Sequence, residues 1–189
     1  MKNIIKILLK RFYSICLQGS KYISRNKLYN FLKSDLYLIQ KNHKNLKVLF
    51  VGSGGPLQKF AESMITGQIL SIDVDQKRNP NYVMSVADMN FKDNNFDLVL
   101  LLEVLEHVDQ PFKAALEIHR VLKPNGHLIV STPFTFGIHE APFDYWRFTK
   151  YGLLNIFSAF KDIKVIERSG LFLTIFTLFV RLIKSKSYF

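Results

Sequence analysis

After Lys47, short unbroken apolar runs alternate with stretches whose apolar residues recur every three or four positions. The runs KVLFV (47–51), GQILSIDVD (67–75), the shorter YVMSVAD (82–88), HLIVSTPF (127–134) and IKVIER (163–168) predict strands. FDLVLLLEVLEHV (96–108) predicts one more, ending in a loop or short helix. PLQKFAESM (56–64), QPFKAALEIHRVLKPNG (110–126), closed by its Pro-Asn-Gly turn, and KYGLLNIFSAF (150–160) predict helices. Strands alternating with helices imply right-handed crossovers, hence an α/β, doubly wound, mostly parallel sheet with helices on both faces.

Before Lys47 the pattern is helical throughout. Ile4, Ile5, Leu8, Leu9, Phe12 and Ile15 share a stripe opposite Lys2, Lys6 and Lys10, and LYNFLKSDLYLIQK (28–41) predicts a second helix. The expected organisation is a basic helical appendage over 1–46, the α/β domain over 47–170 and an apolar segment over 171–189. The apolar run 171–180 is shorter than the roughly 20 residues a bilayer requires. It reads equally as a closing strand or as a helix ending at Arg181 and Lys184.

Charge sharpens this division. Residues 1–47 hold eleven Lys/Arg against the single acid Asp35, a net +10 of the chain's +11, so the rest of the chain is nearly neutral. A basic amphipathic helix either packs its stripe on the domain or lies on an anionic membrane surface; nucleic acid is not the expected partner. Lys6, Lys10 and Arg11 interrupt the first apolar stretch and no small-residue cleavage site follows, so a secretory signal is not expected there, and the one cysteine permits no internal disulfide. The expected location is the cytoplasm, with peripheral contact at the inner face of the cell membrane open to the termini.

The chemistry begins at VGSGGP (51–56), where the first strand breaks into a glycine loop before a helix. Such loops lie at the carboxyl edge of a parallel sheet, where ligands bind and the loop's N–H groups are expected to face them. Leu57 stands where a dinucleotide fingerprint needs its third glycine, which disfavours a nicotinamide-dependent oxidoreductase. Asp73 ends the second strand 21 positions after Gly52, where a carboxylate can take both hydroxyls of a ribose. Asp88 follows the third strand and can reach a base amino group.

Taken in order, VLFVGSGGP, ILSIDVD, SVADMNF, FDLVLLLEVLEHV, EIHRVLKPNGHLIVSTPF and HEAPFDYWRFTKYGL resemble a class I S-adenosylmethionine-dependent methyltransferase, a Rossmann-like fold. Within that class the chain is similar to small bacterial proteins associated with surface-polysaccharide biosynthesis. The resemblance implies S-adenosylmethionine as cofactor. Gly52, Ser53 and Gly54 would back its methionine part, Asp73 would hold the ribose, Val74, Asp88 and Met89 would border the adenine, and Glu103 would lie near the methionine end. Two residues depart from the family: Phe50 replaces an acid that helps position the cofactor's charged end, and Pro56 replaces a glycine. Pro56 suits a first helical turn, whose N–H has no partner in the helix.

A hydroxyl acceptor must lose a proton, and His107 and His139 are the candidate bases. Glu103 and His107, four apart, are placed to share a helical face. The stretch from His139 gathers Asp144, Tyr145, Trp146 and Arg147, which reads either as a substrate wall or as a loop pinned by an Asp144–Arg147 pair with its aromatics in the core. The five histidines and one cysteine show no zinc spacing, so no metal is expected. The sequence thus points to methylation of an oxygen on a sugar or lipid-linked glycan intermediate. The alternative is a methyltransferase-fold binding module without turnover, acting at a membrane or a partner protein. Oligomeric state is not legible.

Overall fold

The computed structural model describes residues 2–168, 170, 172, 174–176 and 178. Five parallel strands form one sheet among these residues: β1 (Leu46–Val51), β2 (Gly67–Asp73), β3 (Tyr82–Val83), β4 (Phe96–Leu102) and β5 (Leu122–Ser131), in the order β3-β2-β1-β4-β5. The helices are α1 (Lys2–Asn42), α2 (Pro56–Met64), α3 (Pro111–Val121) and α4 (Lys150–Ile156), and single 3₁₀ turns lie at Gln76–Arg78 and Leu105–His107.

The continuous apolar runs of β1 and β4 are explained by burial on both faces. On one face Leu49, Val51, Val99 and Leu101 pack with Ala114, Ile118, Ile156 and Phe157 of the α3–α4 side. By alternation, the other face holds Val48, Phe50, Leu98 and Leu100, all buried. Phe50, the residue in place of an acid, is therefore a core side chain, 4% exposed.

Register sets the working edge. Val51 stands opposite both Ile72 and Leu101, so the chain leaves β1, β2 and β4 at one level. The order reverses between β1 and β4, and the glycine loop therefore sits at the topological switch point.

The chain divides into two compact units. One comprises Lys33–Phe134 with Ile138–Val165 and contains the sheet. The end of α1 belongs to it: Leu36 and Ile39 are buried, and Gln40 donates to the carbonyl of Met64 (2.9 Å) and accepts the N–H of Thr66 (2.6 Å). The other comprises residues 1–32, 135–137 and 166–189.

Four sequence expectations change. The two N-terminal helices are one, because nothing between them breaks a helix; Gly19 alone lowers propensity by about 1 kcal/mol. Residues 163–168 form no strand: after a left-handed Asp162 (φ 54°) they run on without ladder partners, and a strand exists only where an edge receives it. The Pro-Asn-Gly turn lies within β5 as a bulge, with Leu122 opposite Phe96 and His127 opposite Leu98. At the C-terminus, residues 172, 174–176 and 178 are helical, which decides between strand and helix there. Arg181 and Lys184, and the side chains of the Ile4–Ile15 stripe, lie outside the described residues. Among those described, no helix is long and apolar enough to cross a membrane.

Candidate functional site

The loop after β1 is held by its own backbone donors. Gly52 N–H donates to the carbonyl of Ile72 (2.8 Å), Ser53 N–H to Asp73 Oδ2 (2.8 Å) and Gly54 N–H to Gln58 Oε1 (2.9 Å). The expectation that these N–H groups face a ligand is corrected accordingly. Gly52 (φ +88°) has to be glycine on two counts: the backbone is left-handed, and a Cβ would stand 2.7 Å from Val104 Cγ2. A Cβ on Gly55, by contrast, would meet open space.

The chemistry of this edge is that of acceptors. Asp73 holds the loop through Ser53 and also accepts Asp75 N–H (2.9 Å), with Arg78 Nε 4.0 Å away; two carboxylate oxygens still have room for further donors. Val74 and Val83 beside it are 72% and 54% exposed, a small apolar shelf at the tips of β2 and β3. Asp88 is exposed after the third strand. Met89 is not at the surface: its side chain lies in the core, its N–H donates to Glu117 Oε2 (3.0 Å) and its carbonyl accepts from Arg120 Nη2 (2.8 Å). Glu103 leaves β4 in a left-handed conformation (φ 56°) and accepts from Ser131 Oγ (2.7 Å). It lies outside the 3₁₀ turn that carries His107, so the two share no helical face. An edge with carboxylates, a flat apolar shelf and few spare N–H donors fits the hydroxyls, ammonium and adenine of S-adenosylmethionine. It fits a pyrophosphate poorly, since that group needs the N–H cradle this loop has already spent.

Beside that edge, at the tips of β4 and β5, lies a second cluster. Glu106 is 1% exposed and accepts a long hydrogen bond (3.3 Å) from Thr132 Oγ1. Burial pushes its carboxyl up to about 7, and the charge of Glu103 adds to the effect. His107 Nε2 is 3.8 Å and His139 Nε2 is 3.9 Å from Glu106 Oε1, and the two rings meet edge to face at 4.7 Å. His107 Nδ1 hydrogen-bonds the carbonyl of Phe143 (2.8 Å), and His139 Nδ1 lies 3.3 Å from Asp144 Oδ2.

Asp144 and Arg147 pin this loop. The guanidinium meets both carboxylate oxygens at 2.7 Å, and the paired Arg147 holds the Asp144 carboxyl well below the usual carboxylate range. The N–H groups of Tyr145 and Trp146 close on the carbonyl of Glu106 (3.0 and 3.1 Å), and Trp146 Nε1 donates to the carbonyl of Val108 (2.8 Å). Tyr145 and Trp146 remain 46% and 42% exposed, so pinned loop and aromatic wall coexist. A groove of about 390 Å³ opens beside Trp146, lined by Asp109, Gln110, Pro111, Phe112 and Lys113. Arg78 Nη2, 3.5 Å from Glu140 Oε2, ties this loop to the Asp73 side.

The fold thus brings together Gly52, Ser53, Gly54 and Asp73 at one point, and His107, His139, Asp144 and Arg147 at another. Glu106 and Gln58 were missed. Glu106 gives no signal in sequence beyond its place next to His107, because its importance comes from burial.

Residues 51–130 match the family model described as a methyltransferase domain. The ubiquinone biosynthesis O-methyltransferase of Aliivibrio fischeri (strain ATCC 700601 / ES114) is 32% identical over 103 residues, covering 46% of this chain and 43% of that protein. The chain therefore spans less than half the length of that relative. The enzyme of the same name from Rickettsia felis is 29% identical over 170 residues, 71% of this chain and 70% of that one. Among solved structures, the [4+2]-cyclase SpnF superposes with a TM-score of 0.54 at 21% identity, over 67% of this chain and 56% of that one. A protein of Bacillus halodurans C-125 described as a candidate methyltransferase gives 0.53 at 17%, over 67% and 68%. Parallel sheet, glycine loop and strand-tip carboxylates agree with the family match, which identifies residues 51–130 as similar to a methyltransferase domain on a Rossmann-like fold.

Proposed function

We propose that this protein transfers a methyl group from S-adenosylmethionine to a hydroxyl oxygen, on a sugar or lipid-linked glycan intermediate. The observation that carries the reading is the pairing of two adjacent sites on one sheet edge. Asp73 stands at the glycine loop, and Glu106, His107 and His139 stand where β4 and β5 end. When bound, the cofactor supplies a methyl already activated on a sulfonium. The chain's own residues then have two tasks. Asp73, Val74 and Asp88 fix the adenosine, and Glu103 lies toward the methionine end. Positioning of this kind accounts for much of the rate of an in-line displacement. The acceptor's proton falls to the His107–His139–Glu106 cluster, whose imidazoles are oriented through Nδ1 by Phe143 and Asp144.

The names of the Aliivibrio and Rickettsia relatives support oxygen as the atom methylated. Half-exposed Tyr145 and Trp146 support a ring-shaped acceptor, since aromatic faces stack on sugars and phenols alike. Calorimetry with S-adenosylmethionine, followed by transfer of labelled methyl to fractionated envelope glycans and to prenylated phenols, tests the reading. Binding with label on a glycan supports it; label on the phenol alone moves the acceptor class. No heat and no thermal shift at millimolar cofactor overturns it. A second reading, a binding module without turnover, is favoured by Phe50 in place of the family's acid. It predicts neither binding heat nor a thermal shift with S-adenosylmethionine.

A further inference from the structure

The groove of about 390 Å³ beside Trp146 is lined by Asp109, Gln110, Pro111, Phe112, Lys113 and Trp146 itself. Small-molecule sites typically measure about 300–1,000 Å³ and combine apolar walls with a few polar groups. We propose that this groove is a sugar subsite, holding a neutral pyranose unit of the acceptor next to the unit that is methylated. For that place in the acceptor the proposal rests on the methyl-transfer reading; the binding of the sugar does not.

Trp146 supplies a fixed aromatic face. Its Nε1 donates to the carbonyl of Val108 (2.8 Å) and its backbone N–H to the carbonyl of Glu106 (3.1 Å). The buried Phe148 stacks on it, with ring centroids 6.1 Å apart and planes 23° from parallel. The indole nonetheless stays half-exposed, as does Phe112 on the first turn of α3. A ring already held in place loses little freedom when a ligand stacks on it. The apolar C–H face of a pyranose is the complement of such a ring.

The rest of the lining chooses among ligands. Asp109 offers acceptors, Lys113 donors, and the amide of Gln110 both. Gln110 Nε2 reaches Asp109 Oδ2 only at 3.4 Å, and Lys113 makes no ion pair among the described residues. Gln110 also makes no side-chain cap to α3, so the first-turn N–H groups of Phe112 and Lys113 have no partner within the helix. The charges of Asp109 and Lys113 cancel. A phosphate or carboxylate would face Asp109. An acyl or isoprenoid chain would cover three hydrogen-bonding side chains and leave them without partners, which is costly. A pyranose has an apolar face for the rings and uncharged hydroxyls, each donor and acceptor, for the rim. The location agrees: Asp109 follows His107 by two residues, and Trp146 belongs to the loop that carries His139, so a sugar held here adjoins the proposed bases.

Trp146 is the chain's sole tryptophan, so its emission reports on the groove directly. Full-length protein without cofactor is titrated with the methyl glycosides of glucose, mannose and galactose to roughly 50 mM, which reaches weak millimolar affinities. Tryptophan emission and saturation-transfer NMR of the sugar are recorded. At least one glycoside should shift the emission and receive saturation most strongly on the C–H protons of one ring face. Phe112→Ala, checked for folding by circular dichroism, should weaken that binding by roughly 2–10-fold, the range for one aromatic contact. Asp109→Ala should weaken it by roughly tenfold or more, as expected for a hydrogen bond to a charged group. Silence with all three glycosides, a response to glycerol as large as that to the sugars, a response confined to farnesyl phosphate, or unchanged affinity in both variants overturns it. S-adenosylmethionine binding is read separately by calorimetry. A protein that binds cofactor but no sugar therefore fails this proposal and leaves methyl transfer standing, and one that binds sugar but no cofactor does the reverse.

Discussion

The N–H of Ser53 donates to Oδ2 of Asp73 at 2.8 Å, so the carboxylate that fastens the glycine loop to the tip of β2 is also the one proposed to hold the cofactor's ribose. Those two duties can be separated. Asp73→Asn keeps an acceptor for Ser53 and loses the charge. It should leave the melting temperature nearly unchanged and weaken S-adenosylmethionine by about 1–3 kcal/mol, the range for a hydrogen bond to a charged group. Asp73→Ala should lose both. Calorimetry beside a thermal melt distinguishes them, and equal melting losses in the two variants would make Asp73 a structural residue only.

Gly52→Ala meets two independent obstacles, a left-handed backbone and Val104 Cγ2 at 2.7 Å from the new Cβ. Backbone strain alone costs about 1–3 kcal/mol. In urea unfolding, Val104→Ala should recover the clash but not the strain, so the double variant falls between wild type and Gly52→Ala. Full recovery would show that the φ angle adapts freely.

Arg147→Ala removes the fork that neutralises Asp144, whose side chain is 2% exposed. Stranding a buried carboxylate should cost about 3 kcal/mol. Hydrogen exchange locates the loss: the N–H groups of Tyr145 and Trp146, bonded to the carbonyl of Glu106, should exchange faster while β1 and β4 stay protected. Uniform acceleration would mean that the whole domain, not the loop, had been weakened.

Glu117 carries a pH dependence of its own. Arg120 donates to both of its oxygens at 2.8 Å and holds its carboxyl below the ordinary 4.5; the same guanidinium reaches the carbonyls of Met89 and Phe91 and the carboxylate of Asp93. A lowered folded-state value means the unfolded chain takes up the proton first. The contribution is complete above 4.5 and is lost as pH falls from there through the folded value. Wild type should therefore lose more unfolding free energy than Glu117→Gln over that acid window, and parallel curves would refute the assignment.

Much of the fold was legible because its signals are local. An unbroken apolar run such as VLFV can satisfy itself only as a strand buried on both sides, and Pro56 after a glycine loop marks where α2 begins; the helix, Pro56–Met64, coincides with the stretch PLQKFAESM. The strand expected at 163–168 failed because extended propensity says nothing of a partner edge. Met89 was misplaced toward the ligand for a related reason, since sequence puts it beside Asp88 but cannot say which way the chain turns.

What the chain's own order determined was the alternation of elements, the strand tip at Asp73 and the break at Gly52, each a property of neighbouring residues. What only the tertiary structure decided was how polar groups were spent. The N–H groups of the glycine loop were consumed by Ile72, Asp73 and Gln58, and Glu106 was buried against imidazoles from two loops. Periodicity is set within a few residues, whereas hydrogen-bond partners and burial are set by groups distant in sequence that meet only when the sheet has closed its register.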